Sequence, residues 1–151
     1  MDKHRRKHLQ FTRVAELQSL RAMASEAECA AAIAEARRAE THLSQCRDAA
    51  TQEAERLEAL MEARALDFDA WRIGRAALGH LDDLHEAAAQ DSESLSRREA
   101  AQRDSWHRER RLSDLAAGRC RKLARKVANA RDEKAASEAV SLPRPPVGGS
   151  R

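Results

Sequence analysis

The sequence predicts an all-α fold: two long helices forming an antiparallel coiled-coil hairpin, followed by a disordered tail. Three observations carry this expectation. Helix breakers are confined to a few places: proline is absent from Met1 to Arg72, and both glycine and proline are absent from His80 to Ala117. Charged residues make up 35% of the chain and aromatics 3%, and much of the 42% apolar content is alanine, so little area is available for a thick core. Apolar residues recur at steps of three and four, the period of an amphipathic helix. Low hydropathy is also a mark of disorder. The abundance of Ala, Leu, Glu and Arg, all strong helix formers, favours helices instead.

The expected hairpin covers residues 1–140, with helix 1 at about 5–66, helix 2 at about 70–139, and the tail at 141–151. The N-terminal segment MDKHRRKH is a basic arm. His4 and His8 stand at the i, i+4 spacing of a metal-binding pair, but no third ligand lies nearby in sequence. In helix 1, Leu17, Leu20, Ala24, Ala27, Ala31 and Ala34 form one stripe, and Leu43, Cys46, Ala50, Leu57 and Leu60 form another. The two stripes are out of phase across Arg37 and Arg38, which predicts a local change of supercoil there. Cys46 reads as a small core residue.

The stretch DFDAWRIGRAALG, residues 67–79, is the expected tip of the hairpin. Gly74 and Gly79 blur the position of the turn, and Asp69 is the expected N-cap of helix 2. Phe68, Trp71, Ile73 and Leu78 concentrate apolar bulk where two helices have least to bury it against. Two roles stay open for them: a plug that closes the end, or an exposed docking knob of interface anchors.

Helix 2 carries a long 3-4 series: Leu81, His85, Ala88, Ser92, Leu95, Glu99, Gln102, Trp106, Glu109, Ser113, Ala116, Cys120, Leu123, Val127 and Ala130. Its polar middle weakens pairing and fixes register. The segment from Arg103 to Arg131 then holds 10 basic residues against three acidic ones, densest in RCRKLARK from Arg119 to Lys126. The final SLPRPPVGGSR ends the helix.

Charge is partitioned along the chain. The net formal charge of +3 divides into +2 over residues 1–43, −7 over 44–96 and +8 over 97–151. A hairpin would set the first and last thirds side by side, basic at the termini and acidic toward the tip, a distribution that steers a charged partner. The three cysteines, Cys29, Cys46 and Cys120, lack paired spacing and point to a reducing compartment. No secretory leader and no span of about 20 apolar residues is present, so a cytoplasmic location is expected.

Catalytic constellations are missing. There is no phosphate-cradling glycine loop, no GxSxG and no HExxH. The carboxylates fall on exposed helix faces beside basic neighbours. The expectation is a protein that is not an enzyme and has no catalytic residue, metal, cofactor or small-molecule substrate.

Trp106 is followed by Arg108, Arg110 and Arg111, then Leu112 and Leu115, a basic stretch, and Arg131-Asp132-Glu133 with Ala135 and Ala136. With the breaker-poor first helix and a length of 151 residues, this pattern resembles the FliJ/YscO family, the small stalk proteins of flagellar and injectisome type III secretion systems. The resemblance implies a stalk that inserts its terminal end into the hexameric export ATPase ring and couples it to the export-gate membrane protein. It implies a cytoplasmic protein associated peripherally with a bacterial inner-membrane apparatus. Carried over in outline, Arg5, Arg6, Arg13, Leu17, Arg119, Arg121, Arg125 and Lys126 would be the ATPase-binding residues. Phe68, Trp71 and Leu78 would face the export gate. Export chaperones are further partners within the family, neither supported nor excluded by the residues here. Tyrosine, which flagellar members carry near the middle, is absent, and this tilts the resemblance toward an injectisome stalk.

Two other classes compete. A basic coiled coil could bind nucleic acid through the N-terminal arm and the Arg119–Lys126 segment, but bases would find few aromatics to stack on. A scaffold could instead dimerise through the polar seam, whereas the stalk requires a free monomer.

Overall fold

The computed structural model describes residues 3–63, 65 and 67–141. They form two helices, α1 (Lys3–Glu62) and α2 (Phe68–Ser141). The expected disordered tail falls, apart from Ser141, outside the described residues; Ser141 itself is the last residue of α2. Within the described residues the fold is the expected antiparallel helical hairpin. Pairing positions run in opposite senses: Leu57 lies against Gly74, Glu35 bonds Arg98, and Thr12 meets Cys120.

The helices pack in two units, one made of Met1–Met23 and Arg108–Arg151, the other of Ala24–His107. In the second unit the core is thin: Cys29, Ala32, Cys46, Leu57 and Ala88 are buried, together with Ser25. In the first unit Ala116 is buried, and Phe11, Ala15, Ala22, Leu123 and Val127 are half-buried. Small side chains at the seam let the two backbones approach but remove little apolar area from water.

The seam of α2 follows the predicted series at every position from Leu81 to Ala130, each half-buried or buried. It extends back through Leu78 and Gly74 to Trp71 in the same steps. The seam of α1 corrects the expectation. It runs Phe11, Ala15, Gln18, Ala22, Ser25, Cys29, Ala32, Ala36, Ala39, Leu43, Cys46, Ala50, Glu53, Leu57 and Leu60, alternating steps of four and three without a break. The expected stripe from Leu17 to Ala31 faces outward, with Leu17 60% and Leu20 62% exposed. No change of phase occurs at Arg37 and Arg38. The physical reason lies in the alanines: α1 carries two 3-4 series of small and apolar residues, and the one in phase with Leu43, Cys46 and Leu57 meets α2.

The turn also differs from the expectation. α1 ends at Glu62 and α2 begins at Phe68, so Gly74 and Gly79 lie inside α2. No glycine among the described residues has a positive φ. The N-cap is Asp67, not Asp69: its Oδ1 accepts hydrogen bonds from the backbone N–H of Asp69 at 3.1 Å and of Ala70 at 3.0 Å. These are two of the donors a helix start leaves unsatisfied. Asp69, in the first turn, adds a favourable charge near the positive end of the helix dipole and pairs with Arg72 at 3.3 Å.

Gly74 is buried because the seam demands it. A Cβ at this position would stand 2.7 Å from Leu57 Cδ2 and 3.0 Å from Glu53 Oε1, inside van der Waals contact. A Cβ at Gly79 or at Gly118 would meet nothing within 4 Å.

Candidate partner-docking surfaces

The two packed units carry opposite charge. Met1–Met23 with Arg108–Arg151 holds 18 basic and 7 acidic residues; Ala24–His107 holds 10 basic and 18 acidic. Their net formal charges are therefore +11 and −8. In the acidic unit Arg56, Arg72, Arg97, Arg98 and Arg103 are each ion-paired, to Glu53, Asp69, Glu93, Glu35 and Glu99. These are mostly exposed pairs, each worth about 1 kcal/mol or less. In the basic unit Lys134 pairs with Glu138 at 3.7 Å. Lys7, Arg119, Lys122 and Lys126 enter no ion pair among the described residues.

All eight residues expected to bind an ATPase belong to the basic unit. Each is exposed. They do not share one face. Arg119 and Lys126 line a cleft of about 310 Å³ together with Lys7, Phe11, Lys122 and Leu123. Arg5 lines a cleft on the other side of the seam, with His8, Leu9, Val127 and Arg131. Arg6, Arg13, Leu17, Arg121 and Arg125 stand at heptad positions turned away from the seam.

A third cleft adjoins the first and shares Phe11 and Arg119 with it; Val14, Leu112 and Leu115 complete its apolar wall. Val14 is 46% exposed, Leu112 48% and Leu115 60%. Lys7, Phe11, Val14 and Lys122 are residues here that sequence reasoning did not single out. The signal was present: Lys7 and Val14 are one heptad apart, as are Leu112, Arg119 and Lys126. It could be read only with the α1 seam in its true phase.

The aromatic cluster at the start of α2 divides between its two expected roles. Trp71 and Leu78 are half-buried and continue the seam, as a plug does. The Phe68 ring lies 5.8 Å from the Trp71 ring and is 69% exposed, and the Arg75 guanidinium lies 5.8 Å from the Trp71 ring on its own account. Ile73 is 68% exposed. At the start of α2 Phe68 and Ile73 thus face outward, with Trp71 and Leu78 turned inward; Met61, at the end of α1, is also 66% exposed.

Among the described residues, no three of His, Cys, Asp and Glu gather at metal-binding distance. None of the described helices is long and apolar enough to cross a membrane. No family model matches the chain, and no curated protein or solved structure is found to be similar to it.

Proposed function

We propose that this chain is a non-enzymatic stalk of the FliJ/YscO kind, which docks its basic unit on the export ATPase of a type III secretion system and links that ring to the export gate. The observation that carries the proposal is the match between charge and packing: the two units carry net charges of +11 and −8. A rotary or coupling stalk needs two surfaces of unlike chemistry on one protein, and these units supply them. The helical hairpin also suits the role, because its long helices offer many surface contacts around a thin core.

In this reading the cations of the basic unit steer the chain into a ring whose inner loops carry carboxylates. Unequal contacts with successive ATPase subunits then favour different subunit conformations in turn. Phe68 and Ile73, outward at the start of α2, are the apolar contacts offered to the gate. The protein acts as a monomer on the cytoplasmic side of the bacterial inner membrane, held there by its partners, and export chaperones are additional ligands.

The test is the cognate ATPase. Adding the purified chain is expected to raise ATP hydrolysis and favour the hexamer, and the Arg119→Glu, Lys126→Glu double variant is expected to lose most of the effect. Unchanged turnover and unchanged oligomeric state would refute the proposal. A nucleic-acid role is the second reading, favoured by Lys7, Arg119, Lys122 and Lys126, which line one cleft and enter no ion pair among the described residues. Trp106, which belongs to the acidic unit, is half-buried within the seam of α2, so its ring is poorly placed to stack on a base. A gel shift at physiological salt separates the two readings, since the stalk forms no complex.

A further inference from the structure

We infer that one flank of the basic unit is a docking trough for a single acidic amphipathic helix supplied by a partner protein. The trough is the pair of adjoining clefts, about 190 and 310 Å³, that share Phe11 and Arg119. It runs along the α1–α2 seam on the side of Lys7 and Val14. Its reach along α1, from Lys7 to Gln18, is about 16 Å at 1.5 Å per residue, close to three helical turns.

Three features select the occupant. The first is charge. Lys7, Arg119, Lys122 and Lys126 line one cleft, and neither cleft has a carboxylate in its wall. None of the four is ion-paired among the described residues, so all four can pair with carboxylates that a partner brings. The second is apolar surface. Val14, Leu112 and Leu115 stand 46–60% exposed beside the cations. A polyphosphate or a nucleic-acid backbone would leave them in water. The third is form. A groove between two antiparallel helices accepts a third helix through side chains spaced i, i+3/i+4 and i+7. A flat lipid surface would touch the rims and miss Phe11 and Leu123, which lie half-buried at the floor.

The order of residues along the trough also sets the pattern of the partner. Lys7 and Lys126 stand one heptad from Val14 and Arg119 respectively, and Leu112 lies a further heptad along α2. The partner helix should therefore bear Glu or Asp on the turn facing Lys7, Lys122 and Lys126. Its Leu, Met or Val anchors should follow about two turns, or 10 Å, away. The inference rests on the basic unit being a docking surface, as proposed above, but does not require the partner to be an ATPase.

The experiment uses the full chain and a fluorescein-labelled synthetic helical peptide with glutamates in one half and leucines at i, i+3 and i+7 in the other. Fluorescence anisotropy is expected to give an affinity at least tenfold tighter than for a peptide of identical composition in scrambled order. The Lys122→Glu variant is expected to lose tenfold or more. Leu115→Ser should also weaken binding several-fold, while Arg111→Glu, an equal charge change outside the trough, should change it less than threefold. Circular dichroism of each variant confirms that these exposed substitutions leave the helices formed. Equal binding of the scrambled peptide, or an equal loss in Arg111→Glu, would overturn the inference, since charge alone would then explain the binding. Tighter association with phosphatidylserine vesicles or a DNA duplex than with the patterned peptide would also overturn it. Peptide binding without any effect on ATP hydrolysis would remove the stalk proposal and leave the trough standing; the reverse result would remove the trough alone.

Discussion

Replacing Gly74 by alanine sets two effects of known size against each other. Alanine is worth about 1 kcal/mol over glycine in a helix interior. Against this, the new Cβ would stand 2.7 Å from Leu57 Cδ2 and 3.0 Å from Glu53 Oε1. Leu57 is 6% exposed, so its methyl has little free space to move into. Crowding a packed seam in this way costs about 1–3 kcal/mol. The net expectation for Gly74→Ala is a loss of up to about 2 kcal/mol once the helix gain is subtracted. Gly79→Ala and Gly118→Ala are the internal references: both glycines are helical and both have open space where a Cβ would go. Each is expected to gain about 0.5–1 kcal/mol. Urea unfolding followed by circular dichroism reads all three on one scale, with equal m-values confirming that the unfolded state is unchanged. A Leu57→Ala background provides the decisive comparison. With the obstructing side chain removed, Gly74→Ala should turn stabilising, giving a coupling energy of about 1 kcal/mol or more between the two sites. If Gly74→Ala stabilises the wild-type chain as much as Gly79→Ala does, the close approach of α1 and α2 at this point is wrong.

Asp67→Ala should cost about 1 kcal/mol through loss of the cap, and Asp69→Ala distinctly less, both read by urea unfolding. Glu109→Leu should raise stability by about 1–2 kcal/mol, because Glu109 sits in the seam with Oε2 shielded and without a hydrogen-bond partner; an unchanged unfolding midpoint would count against that placement. In native protein a thiol reagent should modify Cys120, which is half-exposed beside Thr12, well before the buried Cys29 and Cys46; single-cysteine variants assign the phases. Sedimentation should show a monomer at micromolar concentration, and a stable dimer would favour the scaffold class over the stalk.

The two helices and the seam of α2 were legible because Leu81, Leu95, Trp106, Leu123 and Val127 fall on one 3-4 series, with Ala88 and Ala116 between them. In α1 the marks are alanines, which occupy inward and outward faces alike. Leu17 and Leu20 pulled the apparent stripe to the wrong side, and only the burial of Cys29, Ala32 and Cys46 identifies the true one. The turn was displaced for a related reason. Glycine usually signals a break, but at Gly74 it permits close packing inside a helix. The acidic residue that caps α2 is the one whose oxygen reaches two free N–H groups, and spacing alone does not choose between Asp67 and Asp69. Of the candidate surface, the charge was plain in the sequence. The grouping of Lys7 with Lys122 and Lys126 was not, because it depends on the phase of α1.

The notch at Gly74 has a consequence for how the chain reaches its fold. Leu57 and Gly74 are 17 residues apart in the chain, whereas Thr12 and Cys120 are 108 residues apart. Closing the shorter loop loses less chain entropy, so the first native pairing forms beside the turn, and side chains then mate outward from it like the teeth of a zip. The first teeth to engage set the alignment of all that follow, and the highly charged terminal segments are the last to close.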